Sequence, residues 1–351
     1  MSTALAIVAA VLGVSLLIVV HELGHHLAAL RSGMRVERFS VGFGPVVTSF
    51  RRWGTEFAIS ALPLGGYVKI AGMAPGDEVA PDDPASYANQ PAWRRFGVIL
   101  AGPAMNYVTA VVLAAVLLAT IGLRGPDASA RVGTVLAGWP AAEAGLKTDD
   151  RILSVDGAPV ADWAALVARF QGSPGRPLTL EIERGEGAAA TRTTVVLTPR
   201  DVKGRGRVGV GQGAALQREA GLAAVTSAFA RTNAFALAQL AAFGAIFKGA
   251  QGAELSGPIG IAQQLVSGAR DGAAPFMALV WQISIVLAIL NLLPVPALDG
   301  GRLVFLLIEM VTRRRVNERV ESVVHFVGFV LLVALLLGVT VFGDLARLLG
   351  R

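Results

Sequence analysis

The chain has 351 residues, of which 54% are hydrophobic and only 16% charged, with a mean hydropathy of +0.59. Soluble domains carry about 25% charged residues, so the composition argues against disorder, a collagen-like fibre or a free-standing nucleic-acid binder. The net charge of +6 arises from 31 scattered basic residues against 25 acidic ones, which suits a membrane protein with basic flanks and no nucleic-acid partner.

A bilayer span needs about 20 apolar residues. Residues 4–20 carry no charge, and the apolar pattern runs on to Leu30, interrupted only by His21, Glu22, His25 and His26. The first Lys or Arg is Arg31, so the segment lacks a signal peptide's basic start and reads as a retained span. Cysteine is absent and there are four histidines, so any metal must be held by imidazoles and carboxylates. His21-Glu22-Leu23-Gly24-His25 matches HExxH. On a helix, positions i and i+4 share a face, so both imidazoles reach one metal with Glu22 beside it as general base. Ionisable groups in an apolar span are costly and mark function. His26 points off the ligand face and reads as structural or supporting.

In the following loop, residues 56–70 read as two short strands around Leu64-Gly65-Gly66, within a hairpin region at 39–72. A second span covers 98–121. Residues 128–200 are soluble in composition, with strand-like runs VGTVL, RILSVDG, LTLEIER and TTVVLT. The Gly-rich, basic stretch 201–213 closes that insert. Residues 214–250 are helical in pattern and apolar, but Arg218, Glu219, Arg231, Asn233 and Gln239 interrupt them. They read as an amphipathic helix lying on the membrane or packed on the insert.

The third span, 276–293, is stopped by Pro294 and Pro296. Asp299 follows in NLLPVPALDGG (291–301), placed to cap the next helix. Non-helical backbone at membrane depth lines a polar cavity, and Asp299 is expected to face one. A catalytic zinc takes three protein ligands; the candidates for the third are Asp299, His325, Glu309, Glu318 and Glu321, of which Asp299 stands out. The fourth span is 323–342. Loops 31–97 and 294–322 hold 8 and 5 Lys/Arg, which assigns both to the cytoplasm and puts the termini and the insert outside.

HELGH on the first span with NLLPVPALDGG after the third resembles the site-2 protease family of intramembrane zinc metalloproteases, most closely the bacterial regulator-of-sigma-E protease type. VGFGP (41–45), PLGGYVKIAG (63–72), AGPAMN (101–106) and SGPIGIA (256–262) follow in family order over nearly the whole chain. The resemblance implies one Zn2+ per chain held by His21, His25 and Asp299, with Glu22 as catalytic base. It implies a re-entrant β-hairpin that brings Gly65, Gly66 and Tyr67 near substrate, and Asn291 as a substrate contact. Asn106 is expected only to pack. GWPAAEAGLKTDDRILSVDGAPVADWAALVARF, in the insert, resembles a PDZ domain, which implies a peptide or C-terminus ligand or exclusion of large ectodomains by bulk.

The expected protein is therefore a polytopic α-helical membrane protein with four transmembrane helices, a membrane-associated β-hairpin and an inserted α+β PDZ domain. Its parts are 1–126 (spans at about 4–30 and 98–121), a PDZ domain at 127–213, an amphipathic helical linker at 214–272, and 273–351 (spans at about 276–293 and 323–342). The expected activity is cleavage of transmembrane segments of single-span proteins in the bacterial inner membrane, such as an anti-sigma factor or signal-peptide remnants. The rival readings are a membrane metal carrier and a non-proteolytic PDZ scaffold. A base next to the first ligand argues against the carrier, and the intact set His21, Glu22, His25 and Asp299 argues against the scaffold.

Overall fold

The computed structural model describes residues 1–74, 76–78, 80–127, 129–185, 190–247 and 257–345. Ser256 of SGPIGIA, and Arg347 and Arg351 after the fourth span, lie outside the described residues. Two compact units result, Met1–Ile121 with Glu219–Arg351, and Gly122–Arg218.

Among the described residues, four helices of the first unit are long and apolar enough to cross a membrane: Thr3–Arg31, Ala92–Ala119, Ala273–Leu292 and Glu318–Val341. The first, α1 (Thr3–Arg31), starts at Ser2, whose hydroxyl accepts from the Leu5 N–H. Its N-terminal half exposes Leu5, Ile7, Val8, Leu12 and Leu16, as a lipid-facing helix does.

Strands β1 (Val36–Arg52) and β2 (Thr55–Ile70) pair antiparallel, and both bend. Residues 36–41 meet 66–70 on one side and 56–59 on the other, while 46–52 meet 55–60. The reversal lies at Trp53-Gly54 (φ 51° and 81°), between the paired residues Arg52 and Thr55. Two consecutive positive φ values make the two-residue turn that suits strand twist. Gly65-Gly66, expected to be the turn, lies inside β2, where Gly65 (φ 93°) bends the strand past α1. Ser15 of α1 holds that bend by donating to the Pro63 carbonyl at 2.6 Å.

Helix α2 (Ala92–Ala119) runs against α1 at very close range: a Cβ on Gly24 would lie 2.2 Å from the Ala101 carbonyl oxygen. Small residues at such crossings let helix backbones touch.

The second unit contains β3 (Leu123–Pro126), β4 (Val132–Val135), α3 (Pro140–Glu143), β5 (Arg151–Val155), β6 (Ala158–Pro159) and α4 (Trp163–Gln171). It continues with β7 (Leu178–Arg184), β8 (Thr191–Leu197), β9 (Arg200–Val202), β10 (Arg205–Arg207), β11 (Val210–Gln212) and β12 (Ala214–Gln217). Its four-stranded sheet has the order β6-β5-β7-β8. Leu166 and Phe170 of the amphipathic α4 join Ile152, Leu180 and Ile182 in its core. Because β12 pairs with β3, the unit begins and ends a few residues beyond the 127–213 expected from composition.

In the first unit, α5 (Gly221–Phe247) and α6 (Pro258–Asp271) follow. Polar residues pointed to a helix on the membrane surface or on the insert, but α5 packs along α2 and the third span, α7 (Ala273–Leu292). Two of its polar residues bond across helices: Tyr107 Oη donates to Asn233 Oδ1 at 2.7 Å, and Trp281 Nε1–H donates to Thr232 Oγ1 at 3.2 Å. Helices α8 (Asp299–Thr312) and α9 (Glu318–Gly338) complete the set, and a π-helical turn, Val339–Leu345, follows α9.

Candidate metal centre

His21 lies about 27 Å along α1 at 1.5 Å per residue. His21 and His25 are buried, and one helical turn puts their Nε2 atoms 3.1 Å apart. The third group arrives from α8. Oδ2 of Asp299 is 2.9 Å from His21 Nε2 and 3.3 Å from His25 Nε2.

Local chain chemistry explains how Asp299 gets there. The α7 helix stops at Leu292, and the Pro294–Pro296 segment folds back over the first turn of α8. Two glycines make room: a Cβ on Gly300 would lie 2.0 Å from the Leu293 carbonyl oxygen, and one on Gly301 2.7 Å from that of Val295. Asp299 is the first residue of α8, not its cap; Leu298 is the cap and makes no side-chain capping bond. The carboxylate is thus turned toward the two imidazoles. The rival candidates lie elsewhere. His325 Nδ1 accepts the Ala297 N–H at 2.9 Å. Glu309 pairs with Arg95 and Arg315. Among the described residues, His21, His25 and Asp299 are the one group placed to share a metal ion.

The donor set suits zinc. Bonds of about 2.0–2.2 Å in a tetrahedron hold ligand atoms about 3.3 Å apart, close to the three separations seen. Oδ2 of Asp299 is buried without a hydrogen bond in usable geometry, as expected of an atom aimed at a common point. His25 Nδ1–H donates to the Val98 carbonyl at 2.8 Å, which leaves its Nε2 lone pair free for a metal.

Glu22 is partly buried beside the three and interacts electrostatically with each of them. One of its oxygens accepts the Val68 N–H of β2 at 3.1 Å. The segment 66–70 therefore lies alongside the cluster as an outer edge of the sheet. Gly66 approaches the Ser40 carbonyl so closely that a Cβ would lie 2.6 Å from it, and Gly65 sits against Ile18. Tyr67 stacks on Phe43 with centroids 6.0 Å apart and accepts from Arg38 at 3.4 Å. Asn291 ends α7 partly buried and forms no hydrogen bond with the cluster. His26 packs on Phe39 and Phe57, at 5.3 and 5.5 Å between ring centres; it supports the sheet and stays out of the cluster.

Sequence reasoning missed two residues of α2. A Cβ on Gly102 would lie 2.3 Å from His25 Nε2 and 2.8 Å from His21 Nε2, so only glycine leaves room for the imidazole pair. One turn further on, the fully buried Asn106 places its amide 3.4 Å from His21 Nδ1. The only signal in the sequence was the one-turn spacing of Gly102 and Asn106 within AGPAMN.

The model of Peptidase family M50 matches residues 9–335. A protein of Synechocystis sp., assigned by name as a zinc metalloprotease, is 35% identical over 340 residues, covering 94% of this chain and 92% of its own length. A similarly named protein of Nostoc sp. is 33% identical over 347 residues, covering 94% and 93%. The Regulator of sigma-E protease RseP of Salmonella typhimurium is 29% identical over 446 aligned positions, covering 96% and 98%. With the family model spanning all four membrane helices and relatives alike over nearly their whole lengths, the chain belongs to peptidase family M50, the site-2 protease family, and is a membrane zinc metalloendopeptidase.

Proposed function

We propose that this protein cuts transmembrane segments of single-span membrane proteins, with His21, His25 and Asp299 holding one zinc ion and Glu22 acting as general base. The observation that carries the reading is the convergence of two imidazoles and a carboxylate, 2.9 to 3.3 Å apart, with Glu22 beside them. Zinc bound there would supply Lewis acidity, which brings the pKa of a bound water down to about 7 and polarises a carbonyl. Glu22 takes a proton from the attacking water as the C–O bond forms. It returns that proton to the amide nitrogen as the C–N bond breaks. Water and peptide thus yield one carboxylic acid and one amine.

A substrate helix hides its carbonyls in its own hydrogen bonds and must be extended before it can be cut. The outer edge at 66–70 supports strand addition, which holds an extended peptide by backbone bonds. Gly65, Gly66 and Tyr67 line that edge, and Asn291 contacts substrate from the end of α7. Basic loops 31–97 and 294–322 support a cytoplasmic mouth in a bacterial inner membrane. Anti-sigma factors already trimmed outside and remnant signal peptides are the substrate classes. The Gly122–Arg218 unit is a PDZ domain facing outward; its sheet and the amphipathic α4 support that reading. It admits substrates by binding a peptide end or by excluding bulk.

The test is Glu22→Gln in purified protein with a model transmembrane substrate. Zinc content should hold while cleavage falls by about 10^2 to 10^4-fold. Cleavage that survives with zinc bound would overturn the mechanism. Zinc content unchanged in Asp299→Asn would overturn the ligand set.

A further inference from the structure

We infer that Asn106 is a positioning residue for the zinc site: its side-chain oxygen accepts the Nδ1–H of His21 and so presents the Nε2 lone pair to the metal. The inference rests on the ligand set proposed above.

A neutral imidazole carries one N–H. Ligation through Nε2 leaves the proton on Nδ1, and a buried N–H needs an acceptor. For His25 the acceptor is the Val98 carbonyl on α2, at 2.8 Å. For His21 the group within reach is the side-chain amide of Asn106, one helical turn beyond Gly102 on α2, at 3.4 Å. With Nδ2 facing the imidazole, Oδ1 of Asn106 is buried and has no hydrogen-bond partner. A half-turn of the amide interchanges the two atoms at almost no change in shape. Oδ1 then faces Nδ1–H, and the buried oxygen gains a donor.

The rest of α2 is arranged to the same end. Gly102 opens the space for both Nε2 atoms, since any Cβ there would lie within 2.8 Å of each. Pro103 follows it inside the helix. Asn106 is 0% exposed, and its backbone carbonyl accepts the Ser284 hydroxyl of α7 at 2.8 Å, which fixes the height of the side chain. Packing alone would be better served by an apolar side chain, because burying an amide without partners is costly.

The test is zinc affinity of the purified full-length protein, by competition with a chromophoric chelator, together with the visible spectrum of the Co2+-substituted site. Asn106→Leu keeps the volume and removes the acceptor, whereas Asn106→Asp keeps an acceptor oxygen. Asn106→Leu should lose about 10 to 100-fold in zinc affinity, the range for loss of a ligand's hydrogen-bond partner, and should alter the cobalt spectrum. Asn106→Asp should stay near the parent in both. Should Asn106→Leu fail to fold, Asn106→Ala reads the same quantity with a smaller side chain. Parent-like zinc affinity and cobalt spectrum in the Leu or Ala variant would overturn the inference, as would an Asp variant as weak as Leu. His21→Ala and Asp299→Ala are the controls: if they keep parent affinity, the ligand set itself has failed, an outcome distinct from failure at Asn106.

Discussion

His325 Nδ1 accepts the backbone N–H of Ala297 at 2.9 Å, two residues before Asp299. Ala297 has φ 78°, in the left-handed region that costs a non-glycine residue about 1 kcal/mol or more. One turn along α9, Gly328 closes on the same loop: a Cβ there would lie 2.2 Å from Pro296 Cβ. Gly328 is the one buried residue of α9 among those described, so this helix meets the body of the protein at the loop that carries Asp299.

His325→Leu removes the acceptor and frees the strained turn. The expected result is one zinc per chain with affinity lowered by about tenfold. Ala297→Gly in that background relieves the strain and should recover part of the loss. Chelator competition measures both. Loss of all zinc from His325→Leu would instead favour a direct ligand role for His325.

Gly102→Ala drives a methyl group into both imidazoles. The α1–α2 approach cannot widen cheaply, because Gly24 already seats the two backbones together. Zinc should fall well below one per chain, and the metal-free protein should lose about 1–3 kcal/mol from overpacking. Metal analysis and thermal melting in detergent read the two effects separately.

Asp344 accepts three backbone N–H groups at the start of α6, from Gly257, Ile259 and Gly260 at 3.0, 3.0 and 3.1 Å. It neutralises the positive end of that helix and satisfies donors that would otherwise be orphaned. Asp344→Ala should cost about 1–2 kcal/mol. Hydrogen exchange should rise at residues 257–262 while exchange in the second unit stays unchanged.

Asp150 anchors the second unit. Its side chain is fully buried and accepts from Arg184 Nε and Nη2, each at 2.7 Å, and from the Lys147 N–H at 2.8 Å. Asp150→Ala should destabilise residues 122–218 by about 2 kcal/mol. This is less than the 3–5 kcal/mol of a fully buried pair, because Arg184 is partly solvated. Limited proteolysis should find earlier cutting within this unit, with zinc content unchanged.

Local signals were the legible ones. An apolar run of about 20 residues is long enough for a span whatever surrounds it, so α1, α2, α7 and α9 could be placed, although α2 and α9 begin at Ala92 and Glu318, earlier than the expected 98 and 323. His21 and His25 had to share a face because the helix repeat puts i and i+4 together. The proline break and the glycine pair likewise marked the Asp299 loop before any packing was known. The hairpin turn was not legible in this way. Gly54 and Gly65-Gly66 are both turn signals, and only the pairing of 36–41 with strands on both sides assigns the reversal to Trp53-Gly54.

By itself, then, the sequence determined the spans, the HExxH face and a short list of third-ligand candidates, since each depends on neighbours within a few residues. Tertiary structure brought Asp299 to the two imidazoles and left His325 and Glu309 bonded elsewhere, through how α8 and α9 pack. The same packing turned Asn233 from a sign of a surface helix into a link between helices. It gave Gly102 and Asn106 their meaning as well. Their importance comes from the imidazoles of another helix, and no pattern along α2 states which of its faces α1 will meet.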